Sequence, residues 1–363
     1  MYQLTHFNQS EYDDCQLMKS YVNTIKNTTW DTIMVKDCAL SIYSNMTINK
    51  SLVNYDRKTW YKEYSSFSKY PKVLEKRINV AISTSDQYYM YALVVLESLL
   101  KNNNTRPVFV YILELTPISD EHKACFERYN AQITFVKLYD EKDLISSQLP
   151  TAPSFPKAFI HILRLPHILL DVDKLLCLEA DTLVDGDVGE LYDIDMKDMY
   201  MVGCHPNYHS YNSLSMINGG VHLLNLKVMR DEKITYNYSI ANLPVFTYTP
   251  YPTVEQYLII FFGKRVIIAD NYRFINNQYI NKALEIDELV PLDPVIYHYF
   301  NNININYKPW NIFISDYSKP ISIDSQVYSP QSIDIRSIKK WWDYAQSLPE
   351  YEKLRNDALL HVD

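Results

Sequence analysis

Between Arg77 and Leu178 the chain repeats one pattern: a short apolar run, then a stretch with helical spacing. The apolar runs are residues 78–84, 108–113, 133–136 and 174–178. They are the right length for strands, and too uniformly apolar to have one face in water. Residues 91–100, 119–129 and 156–170 carry the helical spacing. Ser119, three residues before His122, fits an N-cap, and Pro166 lies inside the third of these helices. Strands alternating with helices form a mostly parallel sheet covered on both faces. The expected fold class is α/β, and no internal repeat competes with it.

Ligands of such sheets bind beyond the carboxyl ends of the strands. Two stretches therefore matter most: residues 83–88 after the first strand and 179–181 after the fourth. Neither a GxGxxG nor a P-loop follows the first strand, so a Rossmann-type oxidoreductase or an NTPase would lack its phosphate cradle. A metal is the obvious substitute. Glu179 and Asp181 flank the small Ala180 at a strand end, where two hard carboxylates can share Mn²⁺ or Mg²⁺ with a diphosphate. Read alone, the same residues could simply cap a turn.

Composition narrows the partners. Asp and Glu number 43 against 35 Lys and Arg, a formal charge of -8. A general nucleic-acid binder needs the opposite balance. The 5 cysteines are far apart, with no zinc spacing, and are expected as free thiols in a reducing, cytoplasmic compartment. The N-terminus lacks a signal-peptide pattern, and no apolar run is long enough for a membrane span. Only 6 glycines occur, so each is expected where the backbone requires it. Residues 1–76 are polar and without a clear period, and are expected to form a partly helical appendage; residues 346–363 are set apart as a C-terminal tail.

Five segments, in order, resemble glycosyltransferase family 8, the family of glycogenin and of bacterial lipopolysaccharide glycosyltransferases. Leu178-Glu179-Ala180-Asp181-Thr182-Leu183-Val184, followed by Glu190-Leu191-Tyr192, is similar to its "LDADTLV…(D/E)L(F/W)" segment. Ser83-Thr84-Ser85-Asp86-Gln87-Tyr88 resembles its uridine-binding turn, and Ile217-Asn218-Gly219-Gly220-Val221 its "FN(S/A)GV" segment. Glu255-Gln256-Tyr257 is similar to "DQD", and His298 with Lys308-Pro309-Trp310 to "HxxGxxKPW". Trp341-Trp342-Asp343-Tyr344 also looks family-like, so the resemblance runs over residues 77–345.

The resemblance implies a GT-A fold and a retaining hexosyltransferase that uses a UDP-sugar, with UDP-glucose favoured and UDP-galactose next. It implies Mn²⁺, or Mg²⁺, bound by Glu179, Asp181 and His298. Ser83, Ser85, Gln87 and Tyr88 would hold the uridine, with Ala180 beside the donor. Lys308 would contact the diphosphate and Asn218 the donor sugar. Gln256, with Glu255 next to it, falls against the reacting face of the sugar. An amide there is a poor nucleophile, which favours front-side attack over a covalent intermediate. The acceptor would be a glycan, a lipid-linked sugar or a protein. Self-association as a homodimer is left open.

Several positions depart from the family pattern. Glu179 is longer than the usual Asp, Tyr257 replaces a carboxylate, and asparagines stand between His298 and Lys308 where a glycine is usual. The helix before the metal motif usually carries a basic residue facing the diphosphate; that position is Ile162 here, with Arg164 or Lys157 as substitutes. A UDP-sugar-binding relative with weak or no transfer activity is therefore the alternative. Outside the family context, His298 among Tyr297, Tyr299 and Phe300 reads as a packed core histidine, and Asn218 before two glycines as a turn.

Overall fold

The computed structural model describes residues 76–138, 157–204, 219–232, 265–269, 275–277, 294–299, 308–323, 326–328 and 333–362. The expected N-terminal appendage lies outside them, apart from Lys76.

All four apolar runs are strands: β1 (Ile78–Thr84), β2 (Val108–Glu114), β3 (Gln132–Lys137) and β4 (Lys174–Glu179). Between them lie the expected helices, α1 (Tyr89–Asn102), α2 (Asp120–Glu127) and α3 (Lys157–Ile168). Ser119 is the N-cap of α2, its side chain accepting from the His122 amide. The next strands are β5 (Thr182–Val184), β6 (Met201–Gly203), β7 (Val221–Asn225) and β8 (Val266–Ile268), with the short helices α4 (Gly189–Tyr192) and α5 (Leu226–Asp231) among them. The main sheet has 7 strands in the order β3-β2-β1-β4-β7-β6-β8. Pairing is parallel from β3 through β4, while β7 runs antiparallel to β4 and β6.

Position in the sheet explains the burial patterns. Central β1 and β4 are covered on both faces; β3, at the edge, alternates between exposed and half-buried residues before Val136. The helix α1 is apolar nearly all round, with Ala92 to Leu96 and Leu99 fully buried. It lies between the sheet and α6 (Ile333–Ala345), whose Trp341 is 0% exposed.

A second layer of short strands completes the domain. β9 (Ile275–Asn277) and β10 (Ile296–His298) form a 3-stranded sheet with β5 in the order β5-β10-β9. The strands β12 (Ile321–Ile323) and β13 (Gln326–Tyr328) form a hairpin-like pair. Residues 346–362, set apart as a tail on sequence, are built into this layer. α7 (Tyr351–Asp357) buries Leu354, and β14 (Leu360–Val362) pairs in parallel with β11 (Ile312–Ile314). Arg128, the C-cap of α2, also grips Glu350 through two bonds of 2.6 and 2.7 Å. Among the described residues, no helix is long and apolar enough to cross a membrane, and Cys125, Cys177 and Cys204 are free thiols.

His222, on β7 between Cys177 and Gly203, gives the fold a testable pH dependence. Burial pushes its pKa down to about 4, the Gly219 backbone opposing only in part. Its charged form is thus excluded from the native state but open to the unfolded chain, whose histidine titrates near about 6.5. Stability from this residue is complete above that value and falls as pH drops toward about 4. We expect the unfolding free energy to fall by about 2 kcal/mol between pH 7.5 and 5 on its account. Urea unfolding of wild type and His222→Leu at both pH values checks this; an equal slope in the two proteins refutes it.

Candidate active site

The fourth strand delivers the first carboxylate. Glu179 ends β4 opposite Ser83 of β1, and its amide donates to the Gly220 carbonyl at 2.9 Å. The chain then turns sharply, Thr182 Oγ1 closing the turn on the Glu179 carbonyl at 2.8 Å. Asp181 lies in that turn. The outgoing strand β5 pairs antiparallel with β10, Thr182 opposite His298, and the Tyr299 amide donates to the Asp181 carbonyl at 2.9 Å. This ladder places the imidazole beside the carboxylates.

The result is a compact donor set. One ligand atom each from Glu179, Asp181 and His298 lies within 4.8 Å of the others. His298 Nε2 is 3.4 Å from Asp181 Oδ1 and 3.9 Å from Glu179 Oε2. The histidine side chain is 1% exposed and Asp181 16%, whereas Glu179 is 39% exposed and opens the cluster to solvent. Lys308 Nζ holds Asp181 Oδ2 at 2.5 Å and the Tyr299 carbonyl at 2.6 Å. Burial alone would raise the Asp181 carboxyl; the His298 and Lys308 charges outweigh it and hold the group well below the usual carboxylate range.

These residues fit a divalent cation. Asp181 Oδ1 is buried and accepts no hydrogen bond, His298 Nε2 approaching it without the geometry of one. A buried carboxylate oxygen in that state is costly unless something positive reaches it. Two carboxylates and an imidazole, all neighbours of one point, are donors that suit Mn²⁺ or Mg²⁺.

Gly220 makes the cluster possible. A Cβ there would lie 2.4 Å from His298 Nε2, 2.6 Å from its Cε1 and 2.9 Å from Glu179 Oε2. On sequence this glycine belongs to the segment similar to "FN(S/A)GV", or outside that resemblance to a turn, with no role at the metal cluster. The available signal was a Gly-Gly pair in a chain with 6 glycines.

The turn after β1 occupies the same sheet edge. Asp86–Tyr88 form a 3-10 turn, the Tyr88 amide donating to the Ser85 carbonyl at 3.0 Å. Asp86 faces away, accepting from the Ser119 amide at 2.9 Å and meeting His122 Nδ1 at 2.7 Å. Gln87 and Tyr88 are left exposed, Tyr88 at 41%. Ser83, Ala180, Glu179, Asp181, His298 and Lys308 thus gather at one edge, with Ser85, Gln87 and Tyr88 on the adjoining turn. Arg164 is buried on α3, and its Nη1 donates to the Leu138 carbonyl past the end of β3 at 2.8 Å. Ile162 is a buried core residue. Asn218, Glu255 and Gln256 lie outside the described residues.

A sequence profile described as glycosyl transferase family 8 matches residues 79–312. The chain belongs to glycosyltransferase family 8. It is 21% identical over 286 residues to a lipopolysaccharide 1,2-glucosyltransferase of Escherichia coli, the match spanning 71% of this chain and 81% of that one. It is 25% identical over 179 residues to a Haemophilus influenzae protein named as a glycosyltransferase, over 43% of this chain and 51%, about half, of the relative. Among solved structures, the galactosyltransferase LgtC in complex with donor and acceptor sugar analogues superposes with a TM-score of 0.55 at 18% identity, over 76% of this chain and 100% of LgtC. GlyE of Streptococcus pneumoniae TIGR4 follows, with a TM-score of 0.52 at 17% identity over 78% of this chain and 63% of GlyE. These likenesses establish the fold, which is GT-A. As a family 8 chain, it carries its candidate metal triad where its sheet order changes direction, beyond β1 and β4.

Proposed function

We propose that this chain is a retaining, divalent-metal-dependent hexosyltransferase taking its sugar from a UDP-sugar, with Mn²⁺ as the favoured ion and UDP-glucose ahead of UDP-galactose. One observation carries the reading. Among the described residues, the sheet edge beside the exposed turn after β1 brings together two carboxylates and one ammonium, Glu179 and Asp181 against Lys308. A diphosphate would be repelled there unless a cation bound first. A divalent ion on Glu179, Asp181 and His298 would supply positive charge where the leaving diphosphate gathers negative charge.

The chain's own residues account for the rest. Lys308, already beside Asp181, adds a second positive charge within reach of the diphosphate. His298, fixed by the β5–β10 ladder, presents Nε2 inward. Exposed Tyr88 offers an aromatic face for the base, and Ser83, Ser85 and Gln87 offer polar atoms around it. Gln256 stands by resemblance against the sugar, with Glu255 beside it and Asn218 on the sugar hydroxyls; retention then follows front-side attack, the acceptor entering on the face that UDP leaves. Two of the similar proteins, the E. coli lipopolysaccharide glucosyltransferase and the galactosyltransferase LgtC, support a hexose donor and a glycan acceptor; lipid-linked sugars and proteins remain acceptors to screen. The buried free thiols Cys177 and Cys204 suit a reducing cytoplasmic setting.

A panel of UDP-sugars tested by thermal shift, with and without Mn²⁺, measures this directly. A true donor at a thousandfold excess over its Kd stabilises by about 4 kcal/mol, and here only with the metal present. UDP release then separates a transferase from a binding relative, and the anomeric configuration of the product, read by NMR, reports retention. Stabilisation that ignores Mn²⁺, or binding with no release of UDP under any acceptor, would count against the proposal.

A further inference from the structure

An aromatic stack joins the two turns that the nucleotide reading invokes. Tyr91, in the first turn of α1, stacks face to face on Trp310, ring centroids 4.1 Å apart and planes 11° from parallel. The same tyrosine meets Tyr88 edge-on at 5.7 Å. Trp310 is two residues from Lys308, whose ammonium lies 5.9 Å over the indole ring. Beneath both rings is Trp341 of α6, 6.4 Å from Tyr91 and 6.0 Å from Trp310. The lysine-bearing turn is closed from its other side, Trp342 Nε1 donating to the Pro309 carbonyl at 3.0 Å and the Ile312 carbonyl at 2.7 Å. The Asn311 amide donates to the Lys308 carbonyl at 3.0 Å.

We propose that Tyr91 is a positioning residue: it fixes the Lys308 turn at a set distance from the Tyr88 turn, so that base and diphosphate of one nucleoside diphosphate are gripped together. The inference rests on the reading of these turns as the two ends of a nucleotide site. Tyr88 and Lys308 lie far apart in the chain. Stacked rings resist both sliding and separation, which makes them suited to hold a spacing. Tyr91 itself need not touch the ligand.

The alternative is that Tyr91 only fills core volume. The two readings differ in what happens to ligands of different length. Uridine engages the first turn alone, whereas UDP with Mn²⁺ engages both. In Tyr91→Ala we expect affinity for UDP to fall about tenfold, the upper scale of one lost aromatic contact, and uridine affinity to stay within about twofold. Tyr91→Phe keeps the stack and should restore both. The KM for the sugar donor should rise in the Ala variant more than kcat falls. Tyr91→Leu, which keeps an apolar group against Trp341, gives the same ratio should the Ala variant fail to fold. Equal loss of uridine and UDP, or unchanged UDP affinity, overturns the coupling while leaving the nucleotide site standing. Wild-type protein that binds neither ligand overturns the nucleotide reading, and this inference with it.

Discussion

Asp181→Asn should reduce kcat/KM by at least about a thousandfold and leave the fold intact. Asparagine matches aspartate in volume, so no cavity opens under the β4–β5 turn. What disappears is the charge. Asp181 Oδ1 faces His298, and Oδ2 holds Lys308 at 2.5 Å. An amide is a weak ligand for a hard cation and gives Lys308 no counter-charge. Both sources of positive charge near the diphosphate are therefore disturbed at once. Some stability is lost, because the charges that outweigh the burial of this carboxylate go with it and Lys308 is left without its partner. Melting temperature is expected to fall by several degrees, with the cooperative transition retained. UDP release, Mn²⁺ titration and a thermal melt on the same preparation measure all three. Wild-type turnover in this variant, or in chelator, would remove the metal from the mechanism.

Gly220→Ala should damage the same site without touching any charged group. The added methyl would sit 2.4 Å from His298 Nε2, well inside contact distance, and 2.9 Å from Glu179 Oε2. The exposed Glu179 carboxylate can swing aside, but His298 cannot yield cheaply. His298 is buried, and its backbone is fixed by the ladder to β5. The Gly220 carbonyl is itself bonded to the Glu179 amide, so the strand cannot withdraw without losing that bond. The imidazole must therefore rotate or β7 must lift. We expect Mn²⁺ affinity to fall at least about tenfold, with about 1–3 kcal/mol of destabilisation from overpacking. Gly186→Ala is the control: a Cβ there makes ordinary contacts of 3.4 to 3.6 Å with Val295. Metal titration and urea unfolding of both variants test the idea. If Gly220→Ala binds Mn²⁺ like wild type, the packing around the cluster is looser than described.

Both predictions join residues that sequence reasoning could name to contacts it could not. The carboxylates of 179–181 were legible because they end an uninterrupted apolar run, and strand ends are where ligands of a parallel sheet sit. The Ser119 cap was legible because a cap is a local event spanning three residues. The central strands β1 and β4 were legible because burial on both faces selects for apolar residues at nearly every position, whereas edge strand β3 showed only a short β-branched and aromatic run. The strands of the second layer gave no such signal. β5, β9 and β10 are three residues each, too short for a period to show.

Arg164 marks the same boundary from the other side. On sequence it could substitute for a basic residue facing the diphosphate. A shift of two positions along a helix turns a side chain by roughly half a circle, however. Its guanidinium instead donates to the Leu138 carbonyl past the end of β3, two strands away from β1.

The sequence by itself determined the sheet's central strands, the edge at which a ligand would bind and the hard-oxygen character of its donors, because each is written in neighbouring residues. The resemblance had already joined His298 to Asp181, but tertiary structure alone decided the ladder that sets them face to face, that Gly220 leaves room for both, and that Lys308 reaches the Asp181 carboxylate. Those relations depend on hydrogen-bond ladders between segments distant in the chain, and backbone pairing leaves no periodic trace in the side chains that it brings together.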